Sequence, residues 1–183
     1  MQQKGNEKQK VYIVVSQTGT ILSKVIRIVT GDTYNHASIS LDSRMETMYS
    51  FGRRHPYNPV WGGFVQESPN SGTFKRFAET QAVILSLSVD EEQYGRIGEC
   101  LERMYKNRKI YHYNYIGLFL ALFHKPYHHK NWYYCSEFVQ EVLEQSGVVT
   151  KEMFEEIIKP MHFLKLPEAS VIYSGRLADY AFG

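Results

Sequence analysis

The chain is poor in cysteine. Two residues, Cys100 and Cys135, among 183 exclude a disulfide framework. Without a C-x-x-C pair they also exclude the common thiolate zinc and redox motifs. Long apolar runs are absent too. The longest, IGLFLALF from Ile116 to Phe123, falls well short of the roughly 20 residues that span a bilayer, so no stable membrane insertion is expected. The N-terminal MQQKGNEKQK is polar, and the VYIVV that follows is too short for a signal-peptide core, which predicts a cytoplasmic protein. Charge of either sign is nearly balanced, with 21 Lys and Arg against 19 Asp and Glu, a net charge of +2. That balance argues against nucleic acid or an anionic membrane as partner, and the one local basic run, GRRHP, is too short to change this. There is no internal repeat or low-complexity tract.

What is present is ordinary for a globular domain: 43% apolar and 22% charged residues, with aromatics high at 14%. The length suits one domain with a sizeable core. We expect residues 1–10 to be a flexible N-terminus and residues 11–183 to form that domain.

Val11–Ser16 is a continuous apolar run with β-branched residues and predicts a buried strand. In TGTILSKVIRIVTG, residues Ile21, Leu22, Val25, Ile26 and Val29 recur at helical spacing before Gly31, which predicts a helix. HASISLD alternates and should pair with METMYSF across a turn at Asp42–Arg44. GGFVQES and AVILSLSV read as strands. The acids of SVDEEQ open a helix that runs to about Lys106. YNYIGLFLALF, CSEFVQEVLEQSG and KEMFEEII read as three more helices, and ASVIYSGRLADY holds a last short strand. The fold class is α+β, an antiparallel sheet of about five strands with packed helices.

Cys135 opens the CSEFVQEVLEQSG helix. It extends the apolar stripe of Phe138, Val139, Val142 and Leu143, so it fits a buried small hydrophobe. Its position beside a helix N-terminus equally suits a nucleophile. Unpaired N–H groups and the helix dipole stabilise a thiolate there, and the same N–H groups can receive a developing oxyanion. Cys100, among Ile97, Leu101 and Met104 at helical spacing, reads as core. Trp132 and Tyr134 flank Cys135 and either pack or wall a groove.

A thiol nucleophile needs a base, and seven histidines are available. His124, His128 and His129 in HKPYHHK surround a proline, which disfavours metal chelation on one helix face. His36 opens the alternating strand, where it shares a face with Ser38 and Ser40 while Ala37, Ile39 and Leu41 share the other.

Together, YNHASISLD, METMYSFGR and the later WYYCSEFVQEVL resemble the circularly permuted papain-like cysteine hydrolases. These form the YiiX-like branch of the NlpC superfamily, distantly akin to lecithin–retinol acyltransferase. In that family a histidine at a strand start comes first and a cysteine opening a helix comes last. The resemblance covers about Val11 to Gly147, and it implies a permuted papain-like fold. It makes Cys135 the nucleophile and His36 the general base, with a third polar residue on METMYSFG. Ser50 aligns there, with Glu46, of the same strand parity, as the alternative. Ser can orient an imidazole but supplies no charge. The resemblance implies acyl transfer through a thioester, with no metal or organic cofactor. The expected substrate is a small peptide, cell-wall-derived amide or other acyl-amide. The alternatives are a lipid acyltransferase or thioesterase, or a binding module without turnover.

Overall fold

Strand β1 (Gln9–Gln17) forms the middle of the molecule because its residues are apolar on both faces. Val11, Ile13 and Val15 enter one core, and Tyr12 and Val14 enter another on the opposite face. Such a run is stable only when both sides of the strand are covered. The computed structural model describes residues 8–19, 31–55 and 58–180. The helix expected over 18–31 falls almost wholly outside them.

Five further strands complete the sheet: β2 (His36–Ser40), β3 (Met48–His55), β4 (Asn58–Glu67), β5 (Gln81–Val89) and β8 (Ala169–Arg176). Their order is β4-β3-β2-β1-β5-β8, and every neighbouring pair is antiparallel. The fold is therefore mixed α and β with a six-stranded antiparallel sheet, one strand more than expected. Apart from that sheet, two-residue strands β6 (His112–Tyr113) and β7 (Trp132–Tyr133), not read in the sequence, pair parallel as a separate ribbon.

Two helices cover the larger core. Helix α2 (Glu91–Lys106) starts where Asp90 and Gln93 cap each other reciprocally, Gln93 N donating to Asp90 Oδ1 at 2.7 Å and Asp90 N to Gln93 Oε1 at 3.0 Å. This capping box satisfies two donors that a helix start leaves orphaned. Ile97, Leu101 and Met104 then face the sheet. Helix α4 (Cys135–Gln145) lies across β2 and β3. It buries Phe138, Val139, Val142 and Leu143 completely. Each such side chain contributes about 1.5–3 kcal/mol relative to exposure. Gly147, at φ +71°, ends α4. Its N–H bonds Glu144 O and that of Val148 bonds Leu143 O, a Schellman pair that glycine adopts without steric cost.

The second core is smaller. Tyr12, Val14, Met48 and Ile84 meet Phe74 of α1 (Gly72–Arg76) and Leu177. The helix expected over KEMFEEII is absent. Only Lys151–Met153 make a 3-10 turn, and Ile158 is buried individually. The apolar residues there answer to separate neighbours and not to one helical face.

Candidate active site

Register decides where the site lies. Strand β1 pairs β2 from Tyr12↔Ser40 to Ser16↔His36, so His36 sits at the end of the pairing, beside the chain entering β2. Helix α4 crosses the same strand and begins at Cys135. The Cys135 thiol lies 3.9 Å from the Asn35 carbonyl and is near enough to the His36 imidazole to help raise its pKa. The structure thus brings together the two expected residues from opposite ends of the chain.

Cys135 is the first residue of α4, where backbone N–H groups have no intrahelical acceptor. It lines a narrow cavity of about 50 Å³ with Tyr34, Asn35, Tyr113, Leu118, Leu122 and Ile158. Known ligand pockets are several-fold larger. This one has room for a reacting group, and the rest of a substrate must lie outside it.

The third partner differs from expectation. Ser50 is fully buried, and its hydroxyl donates to Ala37 O at 2.6 Å. It braces the backbone of β2, not the imidazole. Glu46 is exposed in the turn, its N–H bound to Asp42 Oδ2. The residue on the ring is Glu67, from β4. Its Oε2 lies 3.0 Å from His36 Nε2 and accepts from Ser38 Oγ at 2.8 Å. Strand β3 runs between β2 and β4, so this carboxylate reaches across a whole strand. It can do so because β3 is small there. A Cβ at Gly52 would stand 3.3 Å from Glu67 Oε1 and 3.7 Å from His36 Cε1. Glycine at 52 is the one available sign in the sequence, and it becomes informative only once the strand order is known.

Burial alone would lower the His36 pKa. The charge of Glu67, the hydrogen bond its carboxylate accepts from the ring and the influence of the Cys135 thiol outweigh it and raise the ring to about 10. The second nitrogen, with Nε2 committed to Glu67, is the one left for the thiol. Phe74 packs 6.1 Å from the imidazole. Beyond Glu67 opens a pocket of about 400 Å³ bordered by Arg53, Arg54, Arg108 and Lys109.

Two further residues near Cys135 were not singled out in the sequence. Tyr113 is buried in the cleft wall, and its phenol is raised well above 10 by burial and by the charge of Cys135. It therefore stays a hydrogen-bond donor across ordinary pH. Glu137 accepts from Tyr134 N at 3.0 Å and Asn114 Nδ2 at 3.4 Å, tying the start of α4 to the loop before α3 (Tyr115–Ala121). Burial raises its carboxyl to about 7 against those hydrogen bonds.

Cys100 is buried between α2 and α4, where Arg103 Nη2 donates to its sulfur at 3.4 Å. Burial pushes its thiol up, partly opposed by Arg103. Trp132 packs at an angle against His112 and edge to face with His129, and Tyr134 joins the cleft wall. In HKPYHHK, His128 Nδ1 lies 3.3 Å from Glu137 Oε1. No group of three or more His, Cys, Asp or Glu among the described residues is arranged to hold a metal ion.

No family model matches the chain, and neither a curated protein nor a solved structure matches it.

Proposed function

We propose that the protein is a thiol-dependent acyl hydrolase with Cys135 as nucleophile, His36 as acid and base, and Glu67 holding the imidazole. The observation that carries this reading is a thiol at a helix start that acts on a buried imidazole, whose Nε2 is held 3.0 Å from a carboxylate, the arrangement that nucleophilic catalysis requires. The resemblance to permuted papain-like hydrolases points the same way.

His36 and Cys135 act as an imidazolium–thiolate pair, and the thiolate attacks an amide or ester carbonyl. The oxyanion forms at the start of α4, near the Tyr113 hydroxyl. The tetrahedral adduct collapses to a thioester as the leaving amine or alcohol takes the proton from His36. Water then gives a proton to His36 and attacks the thioester, and the acid departs as the thiol is restored. A small peptide or acyl-amide fits this sequence. The apolar side chains Leu118, Leu122 and Ile158 around the thiol favour a second reading, an acyl ester or thioester of a lipid, with the same covalent steps.

The test is alkylation by iodoacetamide at about pH 6, read at each cysteine by peptide mass spectrometry. An ordinary thiol is nearly silent at that pH. Cys135 should label at least about tenfold faster than Cys100 and lose that advantage in His36→Ala. Equal, slow labelling of both cysteines would leave a binding module without turnover.

A further inference from the structure

The pocket beyond Glu67 has no part in the covalent steps, yet at about 400 Å³ it has the size of an ordinary ligand site. Residues 64–67 of β4 all border it. Successive residues of a strand point to opposite faces, so the pocket lies along the outer edge of β4, the last strand of the sheet. Residues 71–74 close one side. Tyr105, at the end of α2, closes the other with Arg108 and Lys109 of the 3-10 turn that follows.

Four cations border the pocket, Arg53, Arg54, Arg108 and Lys109, against one carboxylate, Glu67. None of the four is ion-paired to an acid among the described residues. Backbone carbonyls take some of their donors. Arg54 Nη2 donates to Arg108 O at 2.6 Å and to Tyr111 O at 2.8 Å, and Arg108 Nη1 donates to Tyr105 O at 3.1 Å. Those carbonyls orient the guanidinium groups but carry no formal countercharge. Glu67 is committed to His36 and Ser38. His36 holds its proton at neutral pH, so the ion pair adds no net negative charge.

Arg53 shows what is missing. Its Nη2 is buried without a hydrogen-bond acceptor. Another guanidinium, Arg76, acts on it as a like charge, partly offset by the Tyr115 phenol. Arg53 Cζ lies 5.9 Å and Arg76 Cζ 5.4 Å from the centroid of the Phe77 ring. A buried cation beside a second cation, with no acceptor of its own, is unfavourable, and an incoming anion relieves it.

We infer that this pocket binds a small organic phosphate, with the phosphoryl group on Arg53, Arg108 and Lys109 and the organic part against Val65, Phe74 and Tyr105. Four cations facing one neutralised carboxylate suit a dianion better than a single charge, and guanidinium forks match phosphate oxygens in pairs. Phe74 packs on the His36 ring and Glu67 accepts from it, so the ligand rests against the Glu67 end of the catalytic pair. That a phosphate-bearing molecule is the substrate rests on the proposed thiol chemistry, whereas binding in the pocket does not.

Isothermal titration calorimetry of the full chain, at fixed ionic strength and about pH 7.5 where a phosphate ester is a dianion, tests the inference without turnover. Phenyl phosphate should bind saturably, roughly fivefold tighter than inorganic phosphate because of its ring. It should bind at least about tenfold tighter than benzoate, which carries the same ring and a single charge. Arg53→Gln should weaken phenyl phosphate binding about tenfold, and Arg108→Gln with Lys109→Gln should do the same. Arg53→Gln removes a buried cation without an acceptor, so it should melt no lower than the parent protein, which separates ligand binding from a structural role. Cys135→Ser should bind as the parent does, so failure of the thiol chemistry would leave this result standing. Absence of saturable phenyl phosphate binding would overturn the inference, as would full affinity in both folded variants. Equal binding of benzoate would assign the pocket to a carboxylate, and equal binding of inorganic phosphate would assign it to the free ion. Either result would overturn the organic phosphate.

Discussion

His36 Nε2 stands 3.0 Å from Glu67 Oε2 although β3 runs between their strands. The carboxylate, with the thiol, holds the ring proton against burial, which would otherwise remove it. In Glu67→Gln the burial effect should dominate, and the ring should titrate well below about 10. NMR of the ring protons against pH reads this directly. Turnover should fall about 10²-fold or more. The stability linkage has a definite sign. A ring raised from 6.5 to about 10 stabilises the fold fully below pH 6.5 and loses that contribution as pH rises through about 10. Glu67→Gln should abolish this alkaline loss. An unchanged ring titration would remove Glu67 from its assigned role.

Gly52 should tolerate little. An alanine Cβ would press on Glu67 Oε1 at 3.3 Å, and a valine would fill the diagonal that the carboxylate crosses. Gly52→Ala should fold and lose roughly tenfold in turnover, and Gly52→Val should lose about 10²-fold. Thermal melts beside kinetics separate displacement of the carboxylate from loss of fold. Full activity in a folded Gly52→Val protein would contradict the geometric argument.

Tyr113→Phe removes only a hydroxyl from the cleft wall. If that hydroxyl meets the oxyanion, turnover should fall by about 10²-fold while the iodoacetamide rate at Cys135 stays the same, because alkylation forms no oxyanion. A parallel fall in both rates would reduce Tyr113 to organising the cavity.

Glu137 predicts a separate pH dependence. Burial favours its protonated form and raises it from 4.5 to about 7, against the N–H groups of Tyr134 and Asn114, with Glu141 adding like charge and His128 facing its other oxygen. Stability held at low pH is therefore lost as pH rises from about 4.5 through about 7. Glu137→Gln does not ionise, so denaturant melts should show it gaining on the parent protein over that interval. A constant difference across it would mean that the carboxyl titrates elsewhere.

Much of this was written locally. The two-faced apolar run of β1, the alternation of His36–Ser40, the acid-rich start of α2 and the glycine stop after α4 are nearest-neighbour patterns that a strand or helix must satisfy. Cys135 at a helix start and His36 at a strand start belong to the same class of signal. The KEMFEEII segment shows the limit, since local periodicity there yielded to separate tertiary contacts. The third site residue was beyond local reading for a clearer reason. Ser50 has the right parity on the adjacent strand, but its hydroxyl is closer to the Ala37 carbonyl it bonds, while Glu67 reaches His36 over a glycine. Strand order and the absence of a side chain at residue 52 decided that contact, and neither is a property of the residues that make it. Sequence by itself determined the strands of the main sheet, the long helices α2 and α4, and the residues that open them. Only the tertiary structure decided which carboxylate meets the imidazole, because that choice is made by packing across strands far apart in the chain.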